Sequence, residues 1–300
     1  MSLNKICSDI KTLKIQGAIA IAKEGSKAFF DESLKIKAKT SVELLKELKK
    51  VKKQLINTRP TEPALRNALD YYFYNLNISS LQKMKIHLDL KFNEIMTHFS
   101  DARKKVIEYG VRKIKKGMVV YTHCHSSMVC DILVTAKKKG INFEVYNTET
   151  RPLYQGRKTA TQLAKVGIKV THFVDAAARH AIKKADIVFF GVDAITTTKI
   201  YNKIGTETFA MLAKEFDVPI YFVTDSWKFD IESIFGYDEI IEKRLEKEVW
   251  DKKPKNVKIY NYAFDQVDPQ LSTGIISDLG VFTHSIFIGE SKKNIKKANF

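Results

Sequence analysis

Five short runs rich in β-branched and aromatic residues, "MVVYTH", "NFEVYN", "IKVTHFV", "ADIVFFG" and "PIYFVTD", follow one another after Gly117. Each is separated from the next by a polar or Ala/Lys-rich segment long enough for a helix. Near-continuous apolar strands spaced in this way bury both faces in a parallel sheet covered by helices on each side. Right-handed crossovers then collect the carboxyl ends of the strands on one edge, where such sheets bind their ligands. The loops to inspect are therefore "THCHSS" at 122–127, "NTETRPLYQG" at 147–156, "VDAAARH" at 174–180, "GVDAITTTKIYNKIGT" at 191–206 and "TDSWKF" at 224–229.

Before that point, up to about residue 110, apolar residues recur at three- and four-residue spacing, as in "SVELLKELKKVKKQLI" and "SLQKMKIHLDLKFNEIMTHFSDARKKVIEYG". This half is expected to be helical, with Gly17 opening an Ala/Ile-rich helix and Pro60 and Pro63 forcing an extended turn before another. The expected fold class is α/β, a helical N-terminal domain over 1–112 followed by a Rossmann-like, doubly wound parallel-sheet domain over 113–300. A hydrophobic fraction of 44% supplies the core, no apolar run is long enough for a membrane span, and a cytoplasmic location is expected.

The net charge of +17 is spread through "KELKKVKK", "VRKIKKG", "AKKKG", "DKKPKNVK" and "SKKNIKK". Without one aromatic-interleaved patch it points to solvated lysine faces, or to small anionic ligands or an acidic partner, and away from nucleic acid. Neither a dinucleotide-binding glycine fingerprint nor a Walker-type loop is present, so no cofactor is expected. The charged stretch "YDEIIEKRLEKEVWDKKPKN" reads as an exposed helix and loop.

Cys7, Cys124 and Cys130 are too few for a disulfide scaffold. Cys124 stands between His123 and His125, and three readings compete: a metal ligand, a buried inert thiol, or a reactive thiol. Alternation along a strand would set both histidines on one face and the cysteine on the other, against a metal site. A strand-end position before a helix favours reactivity, since a helix N-terminus lowers a thiol's pKa. Cys130, next to Met128 and Val129, reads as core. Asp193 follows "ADIVFFGV", where a carboxylate must be paired, kept protonated for proton transfer, or used as a cap. Arg59, Arg151, Lys203 and Lys228 could hold phosphate, or could be ordinary ion pairs with Glu149 and Asp225.

Taken in order, "NTRPTEPALRNAL", "ETRPLYQGRKTATQLAKVGIKVTHFVDAAARHAIKKADIVFFGVDAI", "NKIGT", "SWKFD" and "AFDQVDPQLSTGIISDLGVFT" resemble one family over about residues 10–290. It unites ribose-1,5-bisphosphate isomerase, methylthioribose-1-phosphate isomerase and the alpha, beta and delta regulatory subunits of translation initiation factor 2B. The resemblance implies an aldose–ketose isomerase that needs no metal or cofactor, ribose 1,5-bisphosphate being the first expected substrate. It also implies a site between the two domains, a homo-oligomer (dimer or hexamer) and room for a nucleotide activator. By carry-over, Cys124 and Asp193 form the catalytic pair, Gly17 and Ala18 a phosphate-binding loop, and Arg59, Gln155, Asn202, Lys203 and Lys228 substrate contacts; His125, Ser126 and Arg151, at the same strand ends, complete the expected substrate-binding set. The chain departs from the isomerase pattern at Gln16, where an arginine is usual, at His125, where an asparagine is usual, and at Thr196–Lys199. The alternative that the resemblance allows is a non-catalytic regulatory subunit sensing a phosphorylated metabolite.

Overall fold

The computed structural model describes residues 2–239 and 241–295; the last positions of the expected second domain, 296–300, lie outside the described residues. Helices come first: α1 (Leu3–Lys11), α2 (Ala18–Lys35), α3 (Ser41–Ile56), α4 (Pro63–Tyr71) and α5 (Leu81–Val111). Their borders follow local chemistry. Thr40 and Ser80 accept the amides of Glu43 and Lys83 as N-caps of α3 and α5, and Pro63 begins α4. Gly17, at φ +87°, turns the chain into α2.

Strands and helices then alternate: β1 (Val119–Thr122), α6 (Ser127–Lys138), β2 (Glu144–Thr148), α7 (Gln155–Ala164), β3 (Lys169–Phe173), α8 (Ala178–Ile182) and β4 (Ile187–Gly191). They continue as β5 (Ala194–Ile195), β6 (Ile200–Lys203), α9 (Thr206–Glu215), β7 (Ile220–Val223), β8 (Phe264–Val267), β9 (Gly274–Ser277), β10 (Gly280–Phe282) and α10 (His284–Asn294). The main sheet has the order β10-β9-β7-β4-β1-β2-β3, parallel except for the β10–β9 hairpin edge. Each of the five apolar runs is a strand of it, in the doubly wound arrangement, and the strand order reverses between β1 and β4. A second, antiparallel sheet of β5, β6 and β8 was not expected from the sequence.

β4 shows why its sequence is apolar throughout. Val188 and Phe190 join a core that includes Phe29, Leu65 and Phe99 of the first helices, whereas Ile187 and Phe189 join a second core with Ile132 and Leu133 of α6 and Leu163 of α7. Burying each such side chain is worth about 1.5–3 kcal/mol. The central strands are thereby rigid, and the loops that leave them are held at fixed positions.

The 237–256 segment differs from expectation. Among its described residues it contains no α-helix, only the short 3-10 turn at Glu246–Glu248, and it lies against the helical half through Arg66–Glu239 and Arg59–Glu242 ion pairs. Its charges are drawn inward by arginines distant in sequence, which a local reading of a charged run does not reveal.

Candidate active site

At the reversal of strand order, the loops after β1 and β4 open on one cavity of about 370 Å³. Close packing brings them together: a Cβ on Gly191 would lie 2.7 Å from Ser126 Cβ, so only glycine lets the end of β4 approach the start of α6 this closely. Cys124, after β1, and Asp193, after β4, both line the cavity.

β1 ends at Thr122, so His123, Cys124 and His125 leave the strand rather than alternating along it. Cys124 has φ +66°, a left-handed conformation that a non-glycine residue adopts only when its surroundings impose it. Two threonines impose it: the Cys124 amide donates to Thr150 Oγ1 at 3.0 Å, and Thr159 Oγ1 donates to the Cys124 carbonyl at 2.8 Å. Burial pushes the thiol up to about 12, with Lys203 pulling it down and Asp193 adding to the rise. The expected lowering by the N-terminus of α6 is thus overturned, because loss of water outweighs the helix. At neutral pH Cys124 rests as a thiol.

The flanking histidines are neutral. His123 Nε2 lies 2.9 Å from the Ile204 carbonyl and must donate to it, so Nδ1, 2.7 Å from Thr148 Oγ1, accepts from that hydroxyl. Burial lowers His123 to about 4. His125 is also held at about 4, by burial and by Lys158; its Nδ1 is 3.0 Å from Thr159 Oγ1 and 3.8 Å from Cys130 Sγ. Since the Thr159 hydroxyl already donates to Cys124, His125 Nδ1 is the donor in that contact. Cys130 itself is buried and pushed up to about 11 by burial, in keeping with its expected core position.

Asp193 is raised above the ordinary carboxylate range: burial dominates, Lys228, Arg59 and Lys203 oppose it, and Glu242 reinforces it. Lys203 and Lys228 are 8% and 6% exposed, a costly place for ammonium groups unless an anion joins them. Lys228 Nζ donates to the Val192 carbonyl, while Lys203 has no ion-pair partner among the described residues. The ordinary partners considered for these cations are engaged elsewhere, Glu149 with Arg157 at 3.4 Å and Asp225 with His98 at 3.1 Å.

Two helix N-termini also face the cavity, Gly17–Ala20 of α2 and Ser126–Met128 of α6, each presenting amide groups and the positive end of a helix dipole. Gln16 lines it too, but its Nε2 donates back to the Leu13 carbonyl at 2.6 Å. Asn202 and Gln155 complete the wall; Asn202 Nδ2 donates to Thr206 Oγ1 at 3.0 Å, and Gln155 Oε1 has no hydrogen-bond partner among the described residues.

Thus Cys124, Asp193, Gly17, Ala18, Arg59, His125, Ser126, Gln155, Asn202, Lys203 and Lys228 converge. Arg151 does not: it is exposed, donates to Tyr154 Oη at 2.7 Å and to the Val249 carbonyl at 3.0 Å, and lies outside the cavity lining. The sequence reading missed Lys158, Glu242 and Arg244 in the lining and the buried hydroxyls of Thr148, Thr150 and Thr159 behind it. Thr148 and Thr150 fall in a strand-end loop already singled out, but nothing in their type marks them among many threonines.

Residues 14–284 match the sequence model described as the initiation factor 2 subunit family. The chain is 38% identical over 288 residues to the ribose 1,5-bisphosphate isomerase of Pyrococcus furiosus, covering 92% of this chain and 89% of that protein. Its fold superposes on the 5-methylthioribose 1-phosphate isomerase of Pyrococcus horikoshii OT3 with a TM-score of 0.80 at 26% identity, covering 98% and 88% of the two chains. The translation initiation factor eIF-2B of the same organism also gives 0.80, at 25% identity over 94% and 96%. The Cys124–Asp193 cavity therefore sits in a chain that belongs to the initiation factor 2 subunit family.

Proposed function

We propose that this protein is an aldose–ketose isomerase acting on a sugar 1-phosphate, with ribose 1,5-bisphosphate to ribulose 1,5-bisphosphate as the first assignment. The observation that carries it is the convergence of Cys124 and Asp193 on one cavity ringed by Arg59, Lys203, Lys228 and two helix N-termini. Two anion-binding ends suit a substrate with two phosphates. The Pyrococcus furiosus relative bears the name of that activity. We further assign residues 1–112 and 113–300 to two domains that frame the site, with a cytoplasmic homo-oligomer as the working form.

The chemistry divides between two groups. A sugar phosphorylated at its anomeric oxygen opens when the bond from C1 to the ring oxygen breaks, the ring oxygen gaining a proton while C2 loses one; an enol phosphate results. Moving the hydroxyl proton from O2 and adding a proton at C1 then gives the ketose. Asp193, whose burial favours the protonated carboxyl, gives the ring-oxygen proton and takes the one from O2, ending as it began. Cys124 first releases its thiol proton to solvent as the substrate binds, the thiolate being favoured by Lys203, the cation that lowers its pKa. The thiolate then takes the proton from C2, returns it to C1 and ends as thiolate. Each group contributes on the order of 10²- to 10⁴-fold.

Phosphorus NMR of the protein with ribose 1,5-bisphosphate, with and without AMP, tests the assignment. Ribulose 1,5-bisphosphate is expected, lost in Cys124→Ser and Asp193→Asn, and with substrate deuterated at C2 the label should appear at C1 of the product. Turnover undiminished in both folded variants would overturn the mechanism. Intact substrate would move the assignment to methylthioribose 1-phosphate, and a second failure to the regulatory reading.

A further inference from the structure

The Arg59 guanidinium lines the cavity with its Nη2 3.4 Å from Glu62 Oε1 and 3.3 Å from Glu242 Oε2. Among the described residues its Nε has no hydrogen-bond partner, and neither has Glu62 Oε2 nor Glu242 Oε2. At these separations Arg59 is charge-paired on two sides without the parallel fork that fixes a committed arginine–carboxylate pair. Arg66, in the first turn of α4, is held differently: it hydrogen-bonds Glu239 and the Pro60 carbonyl.

Glu62 is 1% exposed. It is the N-cap of α4, yet its side chain makes no capping bond, so its carboxyl has no task in the helix. The charged groups that face it are Arg59, Asp193, Lys228 and Glu239. Burial outweighs both cations and pushes this carboxyl up to about 8, within the range where a small change in pH alters its charge.

We propose that Glu62 is a positioning residue that acts through Arg59: protonated, it leaves the guanidinium to a substrate phosphate in the cavity, and ionised, it retains Arg59 as its own counterion. This rests on the cavity being the sugar-phosphate site. Binding then becomes proton-linked. An anion beside Arg59 raises the proton affinity of Glu62, and by reciprocity the proton on Glu62 raises the affinity for the anion.

Calorimetric titration of the full-length Cys124→Ser protein, which binds without turning over, tests this with two probes: ribose 1,5-bisphosphate, and sulfate, which does not titrate in the range used. Between about pH 7 and 9.5, spanning the Glu62 transition, affinity for both should fall by up to about tenfold per pH unit above the midpoint. Proton uptake should appear as a difference in heat between buffers of unlike ionisation enthalpy. Glu62→Gln should bind with a flat profile and no uptake; Glu62→Asp should keep the dependence with a displaced midpoint, and thermal unfolding verifies that both are folded. An unchanged slope in Glu62→Gln overturns the proposal, as does a flat profile in the parent protein. Sulfate binding with a Glu62-dependent slope, but no binding of ribose 1,5-bisphosphate, would overturn the substrate assignment and leave the role of Glu62 standing.

Discussion

His123 and Cys124 are neighbours on the same loop, and burial acts on them in opposite senses. The thiol is raised because its charged form is the anion, the imidazole lowered because its charged form is the cation, and both stay neutral. The position of Cys124 after the first strand was readable from the sequence; its protonation was not, because that depends on the depth of the pocket and on Lys203 and Asp193 beside the thiol. The same holds for Arg151, whose residue type suits phosphate but whose side chain turns to Tyr154 and Val249. For His123 the linkage sign is set by a folded pKa of about 4 below the ordinary value of 6.5. The unfolded chain binds the proton more tightly, so the contribution is present above pH 6.5 and is lost as pH falls through 4. Denaturant unfolding followed over that window should show a loss of up to about 3 kcal/mol from this residue. Nitrogen NMR should find it as the Nε2–H tautomer throughout the upper part of the range.

At the level of elements, the long runs were readable because strands buried on both faces need uninterrupted apolar sequence, as in Ile187–Gly191. The small sheet was not, since β5 is two residues long and β6 reads "IYNK", too short and too polar to carry a periodic signal. The 237–256 segment failed for a different reason: Glu239 and Glu242 are drawn inward by Arg66 and Arg59, contacts separated by much of the chain. The start of α2 was read correctly through Gly17. A Cβ there would meet nothing within 4 Å, so replacing it tests backbone strain without a clash. Gly17→Ala should cost about 1 kcal/mol, since an L side chain resists the positive φ. Relaxation of the turn would move the amides of Ala18–Ala20 from the anion they face. KM for the phosphorylated substrate should therefore rise while kcat changes little; steady-state kinetics beside a melting curve separates the two effects.

Across the whole molecule, 51 Lys and Arg against 34 Asp and Glu leave a net charge of +17, and the cavity places two nearly buried lysines and an arginine around one space. Two electrostatic costs are thus superimposed. The diffuse repulsion of the surface is relieved by any salt, because the Debye length shrinks to about 8 Å at physiological ionic strength. The concentrated repulsion among Arg59, Lys203 and Lys228, offset in part by Glu62, Glu242 and Asp193, is relieved further by an anion that fits between them and accepts from the amides of α2 and α6. These two contributions separate in two melting series, one raising sodium chloride alone and one raising ribose 1,5-bisphosphate at constant ionic strength. Sodium chloride should raise Tm gradually and without saturation at low concentration, whereas ribose 1,5-bisphosphate should add a saturable increment. At about 100 times Kd that increment corresponds to about 2.7 kcal/mol, or roughly 4 °C for a chain of 300 residues. Lys203→Met should shrink the bisphosphate increment while leaving the chloride response in place, because a methionine fills a similar volume and removes a nearly buried cation that forms no close ion pair among the described residues. Equal responses of Lys203→Met and the parent to the bisphosphate would mean that the ligand's charge is met elsewhere on the basic surface and that the cavity is not where phosphate binds.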